Sequence, residues 1–106
     1  MSRAGPLPAG LAESEYCYVE LLGPARLAAD TKQITIETQA AMTIPDLVAA
    51  LAEACPALVG SALDVEGQRV GEGYILNRNG RDFIKDPTAL IQPGDRLLLM
   101  SSSAGG

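Results

Sequence analysis

The spacing of apolar residues changes period along the chain, and each change marks an element. Residues 15–22 alternate, with Cys17, Val19 and Leu21 on one face and Tyr16, Tyr18 and Glu20 on the other. That pattern predicts a half-buried first strand carrying both tyrosines on its more exposed face. Gly23-Pro24 breaks it, and residues 24–32 read as a polar, alanine-rich connection. Ile34 and Ile36, set between Gln33, Thr35 and Glu37, predict a second strand that returns as a hairpin partner of the first. Ile44, Leu47, Val48, Leu51 and Cys55 then fall on one stripe of a helix. Thr43 stands at the N-cap with Asp46 in the place of a capping-box acid, Pro45 in the first turn and Pro56 at the end.

Beyond Pro56 the signals are shorter. Leu58, Val59 and Leu63 suggest one apolar turn over the core, and residues 64–73 a surface loop. Tyr74 to Arg78 predicts a strand, Asn79-Gly80 a type I′ hairpin turn, and Arg81 to Ile84 a short returning strand. Asp86-Pro87 opens a turn, Thr88 to Ile91 a short helical or irregular segment, and Pro93-Gly94-Asp95 another turn. Arg96 to Met100 is a final strand whose apolar run does not alternate, as expected of a strand covered on both faces or reserved for a partner. The first and last strands are both strongly apolar, so they should lie side by side at the centre and run parallel through the helical crossover. The expected fold is an α+β roll, a mixed sheet of about four to five strands with one long helix on one face.

Composition narrows the function more than the fold. The 106 residues suit one domain, read as an unstructured arm over 1–14, a folded unit over 15–100 and a tail over 101–106. A net charge of −5 with two lysines, Lys32 and Lys85, argues against nucleic acid or an anionic membrane as a partner. The chain shows neither a membrane-length apolar run nor a secretory h-region, so a cytoplasmic protein is expected. Histidine is absent, which removes the usual general base and the commonest neutral metal ligand. Cys17 and Cys55 make neither a disulfide framework nor a metal cluster, and both read as small hydrophobes.

What remains is the tail, Ser101-Ser-Ser-Ala-Gly-Gly106. The run Tyr74-Ile-Leu-Asn-Arg-Asn-Gly-Arg81, then Leu90-Ile-Gln-Pro-Gly-Asp95, then Leu97 to Met100 and Gly105-Gly106, resembles the C-terminal half of the prokaryotic sulfur carriers. Leu22-Gly-Pro-Ala-Arg26 after the first strand is similar to the start of some of them. These β-grasp (ubiquitin-like) proteins include the small subunit of molybdopterin synthase and the carriers of thiamine-thiazole and alternative cysteine synthesis. The Ala-Gly-Gly ending looks more like the latter two, while the long middle, residues 56–73, is unlike the thiamine carrier.

The resemblance implies a carrier that is not catalytic alone. An E1-like adenylyltransferase/sulfurtransferase would use ATP to activate the Gly106 carboxylate. A sulfur nucleophile would convert it to a thiocarboxylate, and a partner such as the large subunit of molybdopterin synthase would take the sulfur. The protein itself would bind no cofactor or metal. Ala104, Gly105 and Gly106 would enter the partner, since glycines without Cβ pass narrow channels in conformations barred to other residues. Molybdenum cofactor biosynthesis is the first expectation. Cysteine or thiazole synthesis, or conjugation of Gly106 to other proteins, are alternatives. Tyr16, Tyr18, Arg78, Phe83, Leu98 and Met100 are expected to share the face opposite the helix, as a docking surface or as ordinary cross-strand pairs.

Overall fold

Two strands from opposite ends of the chain form the centre of the molecule. In the computed structural model, which describes residues 16–38, 40–66 and 69–102, β1 (Tyr16–Leu21) lies parallel to β7 (Arg96–Ser101). The expected arm over 1–14 lies outside the described residues. β2 (Gln33–Glu37) flanks β1 antiparallel, and β4 (Tyr74–Arg78) flanks β7 antiparallel with β5 (Asp82–Ile84) outside it. The five-stranded order is β2-β1-β7-β4-β5. The parallel central pair, the antiparallel hairpin and the single long helix all match the sequence expectation.

That helix, α2 (Ile44–Ala54), starts as its sequence dictates. The Thr43 hydroxyl accepts the Asp46 N–H at 3.4 Å and the Asp46 carboxylate accepts the Thr43 N–H at 3.3 Å, a closed capping box. Its stripe of Ile44, Leu47, Val48 and Leu51 is buried against Cys17, Val19, Leu21, Ile34, Ile36, Leu76, Leu97 and Leu99. Each fully buried leucine here stabilises the fold by about 2 kcal/mol. Leu58, in the 3-10 turn Pro56–Leu58, and Leu63 extend this core beneath the loop 59–73.

Three local expectations are corrected. Residues 24–29 form a short helix, α1 (Pro24–Ala29), where a connection was expected. It buries Ala25 and leaves Leu27 83% exposed, so no apolar stripe advertised it. It is held instead by Pro24 at its start, by the Asp30 N–H on the Arg26 carbonyl at 2.8 Å, and by Arg26 Nε on the Leu21 carbonyl at 3.0 Å. Second, Leu90–Ile91 is not helical but a strand, β6, paired antiparallel with β3 (Met42–Thr43). Two residues are too few to show a period, and burial of Ile91 settles the conformation. Third, Tyr16 and Tyr18 lie on the face opposite α2 but are buried, at 1% and 7% exposure, whereas Glu20 is exposed.

Candidate functional site

The C-terminal end of β7 is where the expected chemistry would leave the domain. β7 is flanked on both sides up to Leu99, which lies opposite Leu21 of β1 and Leu76 of β4. Met100 and Ser101 lie opposite Ile75 and Tyr74 of β4. The Ser102 N–H then donates to the Gly73 carbonyl at 2.7 Å. The tail residues Ala104, Gly105 and Gly106 lie outside the described residues.

Strand register assembles the face opposite α2. Glu20, Leu98, Asn77 and Phe83 form one row across β1, β7, β4 and β5. Met100 lies beside Ile75 in the next row. Phe83 is 51% exposed, and Leu98 and Met100 are half-buried. Tyr18 lies beside Arg96, whose guanidinium stands 4.7 Å from the tyrosine ring centroid, a cation–π contact. Arg78 does not join this face. It alternates with Asn77, so its side chain turns the other way, donating to the Leu90 carbonyl at 2.8 Å and pairing with Asp82 at 3.3 Å. That placement corrects the expectation for Arg78, whose work is to tie β6 to the β4–β5 hairpin.

Asn77 escaped the sequence reading. It is buried at 6% exposure on the face opposite α2, and its Oδ1 has no hydrogen-bond partner among the described residues. A polar residue in an otherwise apolar strand, Tyr-Ile-Leu-Asn, was the available signal. A buried carbonyl oxygen without a donor is costly unless something supplies one.

The rest of the described surface offers little catalytic chemistry. Cys17 is fully buried, and burial pushes its thiol pKa up while the Thr38 hydroxyl at 3.3 Å opposes that rise. Cys55 is half-buried at the end of α2. A cleft of about 390 Å³ beside β4 is lined by Ile44, Val70, Ile84 and Pro87 together with Arg69, Tyr74, Lys85 and Asp86. Among the described residues no cluster of histidine, cysteine or carboxylate side chains could hold a metal ion. No helix among them is long and apolar enough to cross a membrane.

No family model matches the chain, and no curated protein matches it in sequence. Solved structures do match. SAMP1 from Haloferax volcanii superposes with a TM-score of 0.71 at 22% identity, over 86% of this chain and 99% of that one. Small archaeal modifier protein 1 from Methanosarcina acetivorans gives 0.66 at 17%, over 86% and 96%. Urm1 from Trypanosoma brucei gives 0.56 at 17%, over 91% and 100%. The chain has the ubiquitin-like β-grasp fold. At these identities the likeness is one of architecture, and it agrees with the mixed sheet and the helix laid across it. A β-grasp sheet with one helix leaves its second face without a helical cover. Here that face carries Glu20, Leu98, Asn77, Phe83 and Met100.

Proposed function

We propose that this β-grasp protein is a sulfur carrier whose Gly106 carboxylate is adenylated by an E1-like enzyme and converted to a thiocarboxylate. The observation that carries this reading is the Gly105-Gly106 pair, which follows within four residues of Ser102, where the central strand of a ubiquitin-like sheet ends its pairing. The described residues support it by their chemistry. Their cysteines are buried or half-buried and the chain has no histidine, which suits a reacting group that the fold presents to another protein.

The step is balanced simply. The Gly106 carboxylate attacks the α-phosphorus of ATP and pyrophosphate leaves. A sulfur nucleophile, a hydrosulfide or an enzyme persulfide, then displaces AMP from the acyl-adenylate. With a persulfide, two electrons from a thiol reductant release the thiocarboxylate. The exposed Phe83 and the half-buried Leu98 and Met100 would seat the partner. Tyr16 and Tyr18 would support this surface from beneath its neighbours rather than touch the partner. Molybdenum cofactor biosynthesis, with the large subunit of molybdopterin synthase as acceptor, remains our first pathway, and cysteine or thiazole synthesis the alternatives.

The test is intact-mass analysis after incubation with the E1-like enzyme of the same genome, ATP and a sulfur source. A gain equal to exchange of one oxygen for sulfur is expected in the full chain and not after deletion of Gly106. Absence of the gain in the full chain sinks the proposal. A second reading, covalent attachment of Gly106 to lysines of other proteins, is favoured by the likeness to proteins named as modifiers. It requires isopeptide-linked adducts in lysates, and free or thiocarboxylated protein alone would remove it.

A further inference from the structure

The two edges of the five-stranded sheet differ. β2 forms one edge and β5 the other. Ile34, Thr35 and Ile36 of β2 are all buried, so both faces of that edge are already covered. β5 is open on both faces. Phe83 is exposed on the face opposite α2, and the half-buried Ile84 points to the α2 side beside Leu76, its partner in β4. There Ile84 lines the cleft of about 390 Å³ with Ile44, Val70 and Pro87. A helix about 10 Å wide covers about two strands spaced about 4.8 Å apart, and the buried stripe of α2 lies mainly on β1, β2 and β7. The outer flank at β5 is left without full helical cover.

Charge restricts what can lie on this edge. Arg81 and Lys85 bracket β5; both are exposed, and neither side chain has a partner among the described residues. The neighbouring carboxylates are engaged. Asp82 pairs with Arg78 at 3.3 Å, and Asp86 accepts the Thr88 N–H at 2.9 Å and the Thr88 hydroxyl at 2.7 Å. A second copy of the chain is disfavoured as the occupant. Antiparallel self-pairing about Phe83 would set Arg81 of one copy against Lys85 of the other, and like charges directly opposed destabilise a sheet.

We propose that β5 is a docking edge for an extended segment of another protein, apolar at its centre and acidic at both ends, which adds to the sheet as a further strand. An apolar side chain of the segment enters the cleft beside Ile84. The next residue lies along Phe83 and continues the row Glu20, Leu98, Asn77 and Phe83. The flanking carboxylates meet Arg81 and Lys85. The same two cations keep the edge from pairing with itself. This surface is independent of any chemistry at Gly106.

The probe is a capped, labelled peptide, Glu-Glu-Val-Thr-Ile-Thr-Val-Glu-Glu, titrated into the full chain. On binding, backbone amide shifts should concentrate at Asp82, Phe83, Ile84 and Lys85, with smaller changes at Val70 and Ile44 in the cleft. The same peptide with Lys in place of Glu should bind about tenfold more weakly. Arg81→Glu combined with Lys85→Glu, both at exposed positions, should weaken the acidic peptide about tenfold and restore binding of the Lys peptide, the scale of two exposed ion pairs turned into like-charge contacts. Two further acidic peptides, N-methylated at alternate amides, separate strand addition from charge attraction. Only one set of amides faces β5, so one peptide should lose binding and the other keep it.

Absence of binding by the acidic peptide, equal binding of the acidic and Lys peptides, or equal binding of the two methylated peptides overturns the proposal. Shifts centred on β2 overturn it as well. A dimer of the unaltered chain in sedimentation that Phe83→Glu dissolves would assign the edge to a second copy and overturn it too.

Discussion

Burial sets the chemistry of the Cys17 thiol, against the opposing pull of the buried Thr38 hydroxyl. Its oxygen lies 3.0 Å from the Ile36 carbonyl and 3.3 Å from Cys17 Sγ, with Met42 Sδ at 3.8 Å. Burial dominates over the hydroxyl and, with the nearby Asp95 charge, lifts the Cys17 pKa above its ordinary 9.0. The folded state therefore keeps a proton that the unfolded chain releases. The stability linked to Cys17 is fully present below the ordinary thiol range and is lost as pH rises towards the folded value. Urea midpoints measured from pH 8 to 10.5 should fall on the alkaline side, by up to about 1.4 kcal/mol per pH unit for the one proton. Cys17→Ala should lower stability throughout but flatten that alkaline slope; an unchanged slope would remove Cys17 as its source. The inward position of Cys17 was readable from alternation, and burial of Tyr16 and Tyr18 was not. Strand period assigns faces, but it does not say which face neighbouring segments cover.

Among elements, β7 concentrates the argument because its alternate positions do different work. Leu97 and Leu99 are 1% and 0% exposed beneath α2, while Leu98 and Met100 face the other way. Leu99→Ala is expected to cost about 3 kcal/mol through lost burial and the cavity left behind, and Leu98→Ala less than about 1.5. Chemical denaturation of the two variants separates them, and equal costs would mean that both faces of β7 are core. The entry to β7 is fixed by side chains that the sequence announced singly. Asn79 and Gly80 both take positive φ, 56° and 70°, as the predicted turn requires. The Asn79 side chain also accepts the Arg96 N–H at 2.9 Å and donates to Asp95 at 3.3 Å, so the hairpin tip anchors the last strand. That cross-link joins residues far apart in sequence, and local pattern could show the turn but not its second use. α1 and β6 were missed for a related reason: a six-residue helix rich in alanine and a two-residue strand carry too little side-chain periodicity to read.

At the scale of the whole molecule, the fold was legible because its strongest signals are also its central elements. Alternation in β1, the capped stripe of α2 and the apolar run of β7 define the layers, and the crossover through α2 requires β1 and β7 to be parallel. The candidate site was legible in part. The glycine pair could be read directly, whereas Asn77 and the Gly73 bond arise from register and loop packing. The buried core lies within residues 17–99, so deletion of Gly105 and Gly106 should leave the urea midpoint unchanged to within about 0.5 kcal/mol. A larger loss would show that the tail takes part in the fold and is not simply carried by it.

The parallel pairing of β1 with β7 also decides how the domain bears load. A pull along β7 runs perpendicular to its hydrogen bonds with β4 and oblique to the slanted ones with β1. From Arg96 to Leu99 those bonds flank the strand on both sides and must shear together, so the domain resists as a block. Past Leu99, Met100 and Ser101 lie opposite Ile75 and Tyr74 of β4, and the Ser102 N–H donates to the Gly73 carbonyl. Force applied beyond β7 is therefore met by a central strand braced by both its neighbours, and the sheet takes it up as one body.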